Sequence, residues 1–161
     1  MNTILKAGIV LGVLVEIWSY LYVGVGWHKS PATSNLFWVV FLIQIAVLVW
    51  ALRQTAAEGR GYGGQLVAGT LVSIIGGVLV VVGSYLCMTM VFPNYAHDVA
   101  VMQEQGLRAA GKSDAEIRQL MEMMAKTSSP AMAAIFGCIG TIVTGFVSSL
   151  VIGAFVRAKK A

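Results

Sequence analysis

The sequence predicts an all-α polytopic membrane protein: a four-transmembrane-helix bundle with an amphipathic helical hairpin between helices 3 and 4. Three observations carry that prediction. Of 161 residues, 58% are hydrophobic and 11% charged, against roughly a quarter charged in soluble domains, and the mean hydropathy is +0.81. The apolar residues gather into four runs, each near or above the length that crosses a hydrocarbon core. The one extended polar stretch, between the third and fourth runs, repeats its apolar residues at helical spacing. A soluble domain of this size leaves much of its surface wet, and eleven bases with seven acids cannot coat it. This composition excludes a secreted disulfide scaffold and an ordinary soluble enzyme. The net charge of +4 does not point to nucleic acid, because no basic cluster interleaved with aromatics is present. Residues 1–161 read as a single integral membrane domain.

The first run extends from Ala7 to Trp27, broken only by Glu16 and Ser19. The carboxylate in its middle and the lack of a small-residue cleavage site predict a retained span rather than a signal peptide. A short linker with Pro31 leads to the second run, Leu36 to Leu52, so the two spans pair antiparallel. Gly59-Arg60-Gly61-Tyr62-Gly63-Gly64 follows. Without a strand before it, this stretch predicts a flexible turn rather than a phosphate-binding loop. The third run covers Leu66 to Phe92 and the fourth Ala131 to Val156, both long enough to tilt or enter the interface. Between them, residues 93–129 predict two short helices around Gly111. Tyr95, Val99 and Met102 form a stripe on the first. The second opens with a capping box at Ser113-Asp114-Ala115-Glu116 and carries Ile117, Leu120, Met121 and Met124 on one face.

Four spans place both termini and the middle loop on one side. That side holds Lys6, Arg53, Arg60, Arg157, Lys159 and Lys160; the other holds Lys29, Arg108, Lys112, Arg118 and Lys126 among five acids. Counted near the span ends, the bias favours cytoplasmic termini and an extracytoplasmic hairpin.

Small residues recur every four positions along the fourth span: Ala133, Gly137, Thr141, Gly145, Ser149 and Gly153. Gly69, Ser73 and Gly77 repeat the pattern in the third, and Gly8 with Gly12 in the first. In lipid, helices associate by close backbone approach across such positions, so these faces predict tight packing within the chain or with a partner. Glu16 sits near the midpoint of the first span, where a carboxylate costs at least ~2.5 kcal/mol to insert. Gln44, Thr141 and Thr144 fall at similar depth. Together they form a candidate intramembrane polar site, read either as an interhelical clamp or as a transport or ligand group. Met88, Met90, Met102, Met121, Met123, Met124 and Met132, near His28 and His97, are read as adaptable apolar filler rather than a soft-metal site. His97 with Asp98 is too sparse for zinc. Cys87 and Cys138 read as buried apolar residues. No catalytic centre, metal site or cofactor is predicted.

Several stretches together resemble a family of bacterial membrane proteins, the domain of unknown function 4199 family. They are Lys6-Ala7-Gly8-Ile9-Val10-Leu11-Gly12; Phe37-Trp38 through Leu52 with the glycine-rich turn; Gly111-Lys112-Ser113-Asp114-Ala115-Glu116-Ile117; Met121-Glu122-Met123-Met124; and Ser129-Pro130-Ala131-Met132-Ala133. The resemblance implies a four-helix protein of the bacterial inner membrane and carries over no catalytic residue. The leading expectation is a non-enzymatic accessory or interaction component, in contact with membrane lipids and packing as a homo-oligomer or with a membrane-protein partner. The alternative is a small transporter or channel-like oligomer using Glu16 and Gln44. A lipid-acting enzyme relying on His97 or Asp98 comes third. The orientation has its own test. With Cys87 and Cys138 replaced by alanine, a cysteine introduced at Lys112 should react with a membrane-impermeant maleimide on intact cells. Labelling only after lysis would reverse the assignment.

Overall fold

A computed structural model describes residues 2–127 and 129–156. Among these residues the α-helices are α1 (Thr3–Gly24), α2 (Pro31–Ser34), α3 (Val39–Ala57), α4 (Tyr62–Leu86), α5 (Tyr95–Ala109), α6 (Asp114–Thr127) and α7 (Pro130–Phe155). No strand occurs among them. Four segments are long and apolar enough to cross a membrane: Thr3–Gly24, Pro31–Ala57, Tyr62–Val91 and Pro130–Phe155. The basic residues Arg157, Lys159 and Lys160 lie outside the described residues.

Hydropathy marks the apolar part of each span, and the helix ends differ from it: α1 starts at Thr3 and stops at Gly24, short of Trp27, whereas α3 and α4 extend into the loop between them. α3 continues five residues beyond Leu52 because Arg53 through Ala57 hold good helix formers that leave the hydrocarbon still helical. The expected glycine-rich turn is shorter than its composition suggests. Gly59, at φ +87°, ends α3 in a paired cap: its N–H donates to the Ala56 carbonyl at 3.0 Å and that of Arg60 to Thr55 at 3.2 Å. This is the left-handed glycine termination of a helix. Tyr62, Gly63 and Gly64 already belong to α4. The same arrangement ends α5, where Gly111 stands at φ +75° and Lys112 N–H donates to the Leu107 carbonyl at 3.2 Å. Gly106 does not interrupt that helix. The capping box forms as the sequence predicts: Ser113 N–H donates to the Glu116 carboxylate at 3.0 Å, and Glu116 N–H to Ser113 Oγ at 3.4 Å.

α4 is the central helix, packed along both α1 and α7 and touching α3. Glycines set those distances. On the α1 side, a Cβ at Gly12 would fall 2.6 Å from Leu79 Cβ, and one at Gly76 would meet Leu11 at 2.8 Å. On the α7 side, Gly145 faces Ser73 and Gly69 faces Ser149, where a Cβ would reach 2.5 and 2.8 Å from the serine Cβ atoms. Gly77 abuts Cys138, and Gly153 abuts Gln65. These contacts lie within one chain. The four-residue ladder of α7 is not one continuous face, however. At 3.6 residues per turn, a strict spacing of four rotates about 40° per step. Gly145, Ser149 and Gly153 therefore bury against α4, whereas Gly137 is exposed and Thr141 half-buried. Ala134 and Cys138 continue the packed stripe instead, with Ala134 at 1% exposure.

At the end carrying the chain termini the bundle closes on buried polar groups. Thr55 Oγ1 donates to Gln65 Oε1 at 2.6 Å, and Gln65 Nε2 donates to the Leu52 carbonyl at 3.1 Å. Both residues are essentially inaccessible, so each polar atom needs the other's partner.

The two faces of α7 predict opposite responses to one added methyl group. Gly145→Ala should destabilise the detergent-solubilised protein by about 1–3 kcal/mol through overpacking against Ser73. Gly140→Ala, whose Cβ meets nothing within 4 Å, should leave the thermal midpoint unchanged or raised, since alanine is the better helix former. Equal losses in both variants would contradict the packing.

Candidate functional site

Below Gly145 the spans pack closely; toward the hairpin they part. The resulting cavity has a volume of about 900 Å³ and lies between α1, α3, α4 and α7. α5 and α6 roof it, contributing Tyr95, Val99, Gln103, Met121 and Met124. Tyr95 and Val99 of the α5 stripe and Met121 and Met124 of the α6 stripe face this space; Ile117 alone among the α6 stripe is fully buried. Phe37, Trp38, Phe41 and Phe136 edge the cavity. Trp38 at 68% and Phe136 at 55% exposure leave apolar surface open at this edge, between the start of α3 and α7.

The floor is polar. Gln44, 5% exposed, reaches from α3 to α7: Nε2 donates to the Thr141 carbonyl at 2.6 Å, and Oε1 accepts from Thr144 Oγ1 at 2.8 Å. Three of the four candidate polar residues thus converge. Gly137 and Gly140, beside Thr141 and Thr144 on α7, supply the room above them by lacking side chains.

Glu16 does not join this group. It continues the row of Gly8 and Gly12 on α1, which meets Ile75, Leu79 and Gly83 at matching four-residue steps on α4. Its Oε1 accepts from Ser84 Oγ at 3.0 Å, and the missing side chain of Gly83 makes space for the carboxyl. Oε2 is buried without a hydrogen-bond partner among the described residues. Tyr20 OH donates to the Gly83 carbonyl at 3.1 Å beside it. Counting inward from span ends matches depth and carries no information about azimuth, so Glu16 meets Ser84 instead of joining Gln44, Thr141 and Thr144. Ser84 itself lines the large cavity, whereas Glu16 opens on a separate shallow groove between α1 and α4.

A latch absent from the sequence reading holds the roof. His28, in the turn after α1, is 3% exposed and packs between the rings of Tyr22 and Tyr95, with centroids 6.2 and 5.1 Å away. Its Nε2 lies 3.3 Å from Asp98 Oδ2 on α5, and Lys29 Nζ lies 2.9 Å from the same oxygen. The Nε2–H tautomer donates to Asp98 and leaves Nδ1, which has no partner among the described residues, as a bare acceptor. Lys29, then His28, hold the Asp98 carboxyl below its ordinary value by hydrogen bonding to its ionised form. Burial pushes the Tyr95 phenol up. His28 and Asp98 are seventy residues apart, and only the position of the loop beneath α5 brings them together. Asp98 is thus engaged by His28 and Lys29, and no hydrogen bond or ion pair of His97 occurs among those described. The methionines divide: Met88, Met121 and Met124 line the cavity, while Met90, Met123 and Met132 are exposed. Among the described residues no three His, Cys, Asp or Glu side chains gather where a metal could sit.

The model of a family described as "Protein of unknown function (DUF4199)" matches residues 6–158. The chain belongs to this family. No curated protein and no solved structure matches it. Membership agrees with the helical membrane architecture and brings no assigned site, so the cavity and its neighbours stand on their own chemistry.

The latch has a definite pH signature. A carboxyl lowered in the folded state contributes stability that is fully present above its unfolded value and is lost as pH falls through the folded one. Corrected for intrinsic rates, amide exchange in α5 should stay slow at neutral pH and accelerate only in acid, below the ordinary aspartate value of 3.8. Asp98→Asn should exchange rapidly throughout. A wild-type profile in that variant would show that the latch does not hold the roof.

Proposed function

We propose that the protein is a non-enzymatic membrane component that holds a lipid-derived molecule between its spans, in the bacterial inner membrane with both termini cytoplasmic. One observation carries the reading: a roofed cavity of about 900 Å³, at the upper end of the size of small-molecule sites. Its walls are apolar and aromatic, with a small polar floor, which is the usual composition of such sites. The exposed edge at Trp38 and Phe136, set in the bilayer, would let a molecule enter without crossing water. The orientation rests on the lysine and arginine bias at the span ends.

This reading departs from packing through the small-residue faces, because Gly69, Ser73, Gly77, Gly145, Ser149 and Gly153 meet one another, Cys138 or Gln65 inside the chain. It also separates Glu16 from Gln44, so a transport path through both as one site loses its geometric support. Among the described residues no nucleophile–base pair lines the cavity, which favours binding over turnover.

Native mass spectrometry of protein extracted in mild detergent tests the proposal. Wild type should carry a non-covalent, lipid-sized mass. Gly140→Leu projects its side chain into open space and should lower occupancy at least about tenfold while keeping the thermal midpoint. Unchanged occupancy in the filled variant would overturn the reading.

A further inference from the structure

We infer that the cavity takes an uncharged lipid whose carbonyl or hydroxyl head is held at Gln44, and that it refuses anionic phospholipid. The inference rests on the binding role proposed above and assigns its ligand class.

The cavity lining is uncharged. Among the described residues no Lys, Arg, Asp or Glu lines the cavity. Glu16 stands behind Ser84 and opens on the other groove. In the latch, Lys29 and Asp98 pair with each other and neither lines the cavity. A phosphate drawn into this space would lose its water and meet no counter-charge, a cost that buried ions recover only through pairing and hydrogen bonds. An uncharged head carries no such penalty.

Gln44 retains hydrogen-bonding capacity. A glutamine carboxamide has two N–H donors and an oxygen with two lone pairs. Gln44 uses one donor on the Thr141 carbonyl and one lone pair on the Thr144 hydroxyl, which fix the carboxamide in orientation. It lines the cavity and keeps one donor and one acceptor site unspent. A ligand carbonyl would accept from that N–H, and a hydroxyl could use either. The rest of the lining, including Phe37, Phe41, Val80 and Phe136, suits a hydrocarbon chain or a flat ring. Two sources supply this chemistry: a prenyl-type quinone and a diacylglycerol.

Gln44→Leu isolates the head contact without orphaning its neighbours. Thr144 Oγ1 also lies 2.6 Å from the Gly140 carbonyl, so the hydroxyl keeps an acceptor when the glutamine is gone. Thr144→Val, which removes the anchor but keeps Gln44, is the second variant should the first fail to fold. Delipidated full-length protein in detergent would be titrated with decylubiquinone, dioleoylglycerol and dioleoylphosphatidylglycerol, reading bound mass and thermal midpoint.

At least one uncharged probe should bind about tenfold or more tightly than phosphatidylglycerol. That affinity should fall about tenfold in Gln44→Leu, less in Thr144→Val, and strongly in Gly140→Leu. Binding of the quinone alone, or of the glyceride alone, supports the inference and identifies the source. Phosphatidylglycerol binding equally well and displaced by Gly140→Leu would overturn the ligand class and leave the cavity's binding role standing. Uncharged binding that neither Gln44→Leu nor Thr144→Val weakens would overturn the placement of the head. No binding of any probe, with Gly140→Leu without effect, would remove both readings.

Discussion

The structure depends on how closely α4 can approach its neighbours. Lipid offers little hydrophobic drive for helices to associate, so contact area between backbones has to supply it. Gly76 admits Leu11, Gly69 admits Ser149, and Gly145 admits Ser73. Each missing side chain shortens an interhelical distance and brings polar groups within reach across it. The Gln44 bridge to Thr141 and Thr144 is one result: Gln44 sits against Gly145 at the junction of α3, α4 and α7.

Close packing at one end leaves space at the other. The packed stripe of α7 turns away from the line through Gly137 and Thr141, and α3 and α7 part above Gln44. Hydrocarbon alone would fill such a gap in an open bundle. Here α5 and α6 cover it, and Lys29 and His28 tie α5 down through Asp98. Segments joining spans lie where water is available, so these ionic contacts form without the cost that a charge in the bilayer would carry. The cavity combines an apolar wall, a rigid polar floor and a roof tied down by charge.

Glu16 shows how a single helix face decides chemistry. One residue earlier, Val15 faces the core at 7% exposure and lines the cavity. A step of 100° moves Glu16 to the row that meets α4, where Ser84 satisfies one carboxyl oxygen. The carboxyl and the carboxamide lie at similar depth yet address different spaces.

Composition and periodicity alone determined the four spans, the hairpin, its capping box and the small-residue interfaces, because each depends on neighbours within one helix or on the solvent the helix meets. Tertiary structure alone decided which of those small residues pack and which open a cavity, since a four-residue ladder rotates around its helix and sequence does not say where a neighbour stops. It also decided that Gln44 finds Thr144, that Glu16 finds Ser84, and that His28 finds Asp98. These pairs are separated by 100, 68 and 70 residues. Their meeting depends on the azimuth and crossing of whole helices, quantities that residue spacing along one helix does not contain.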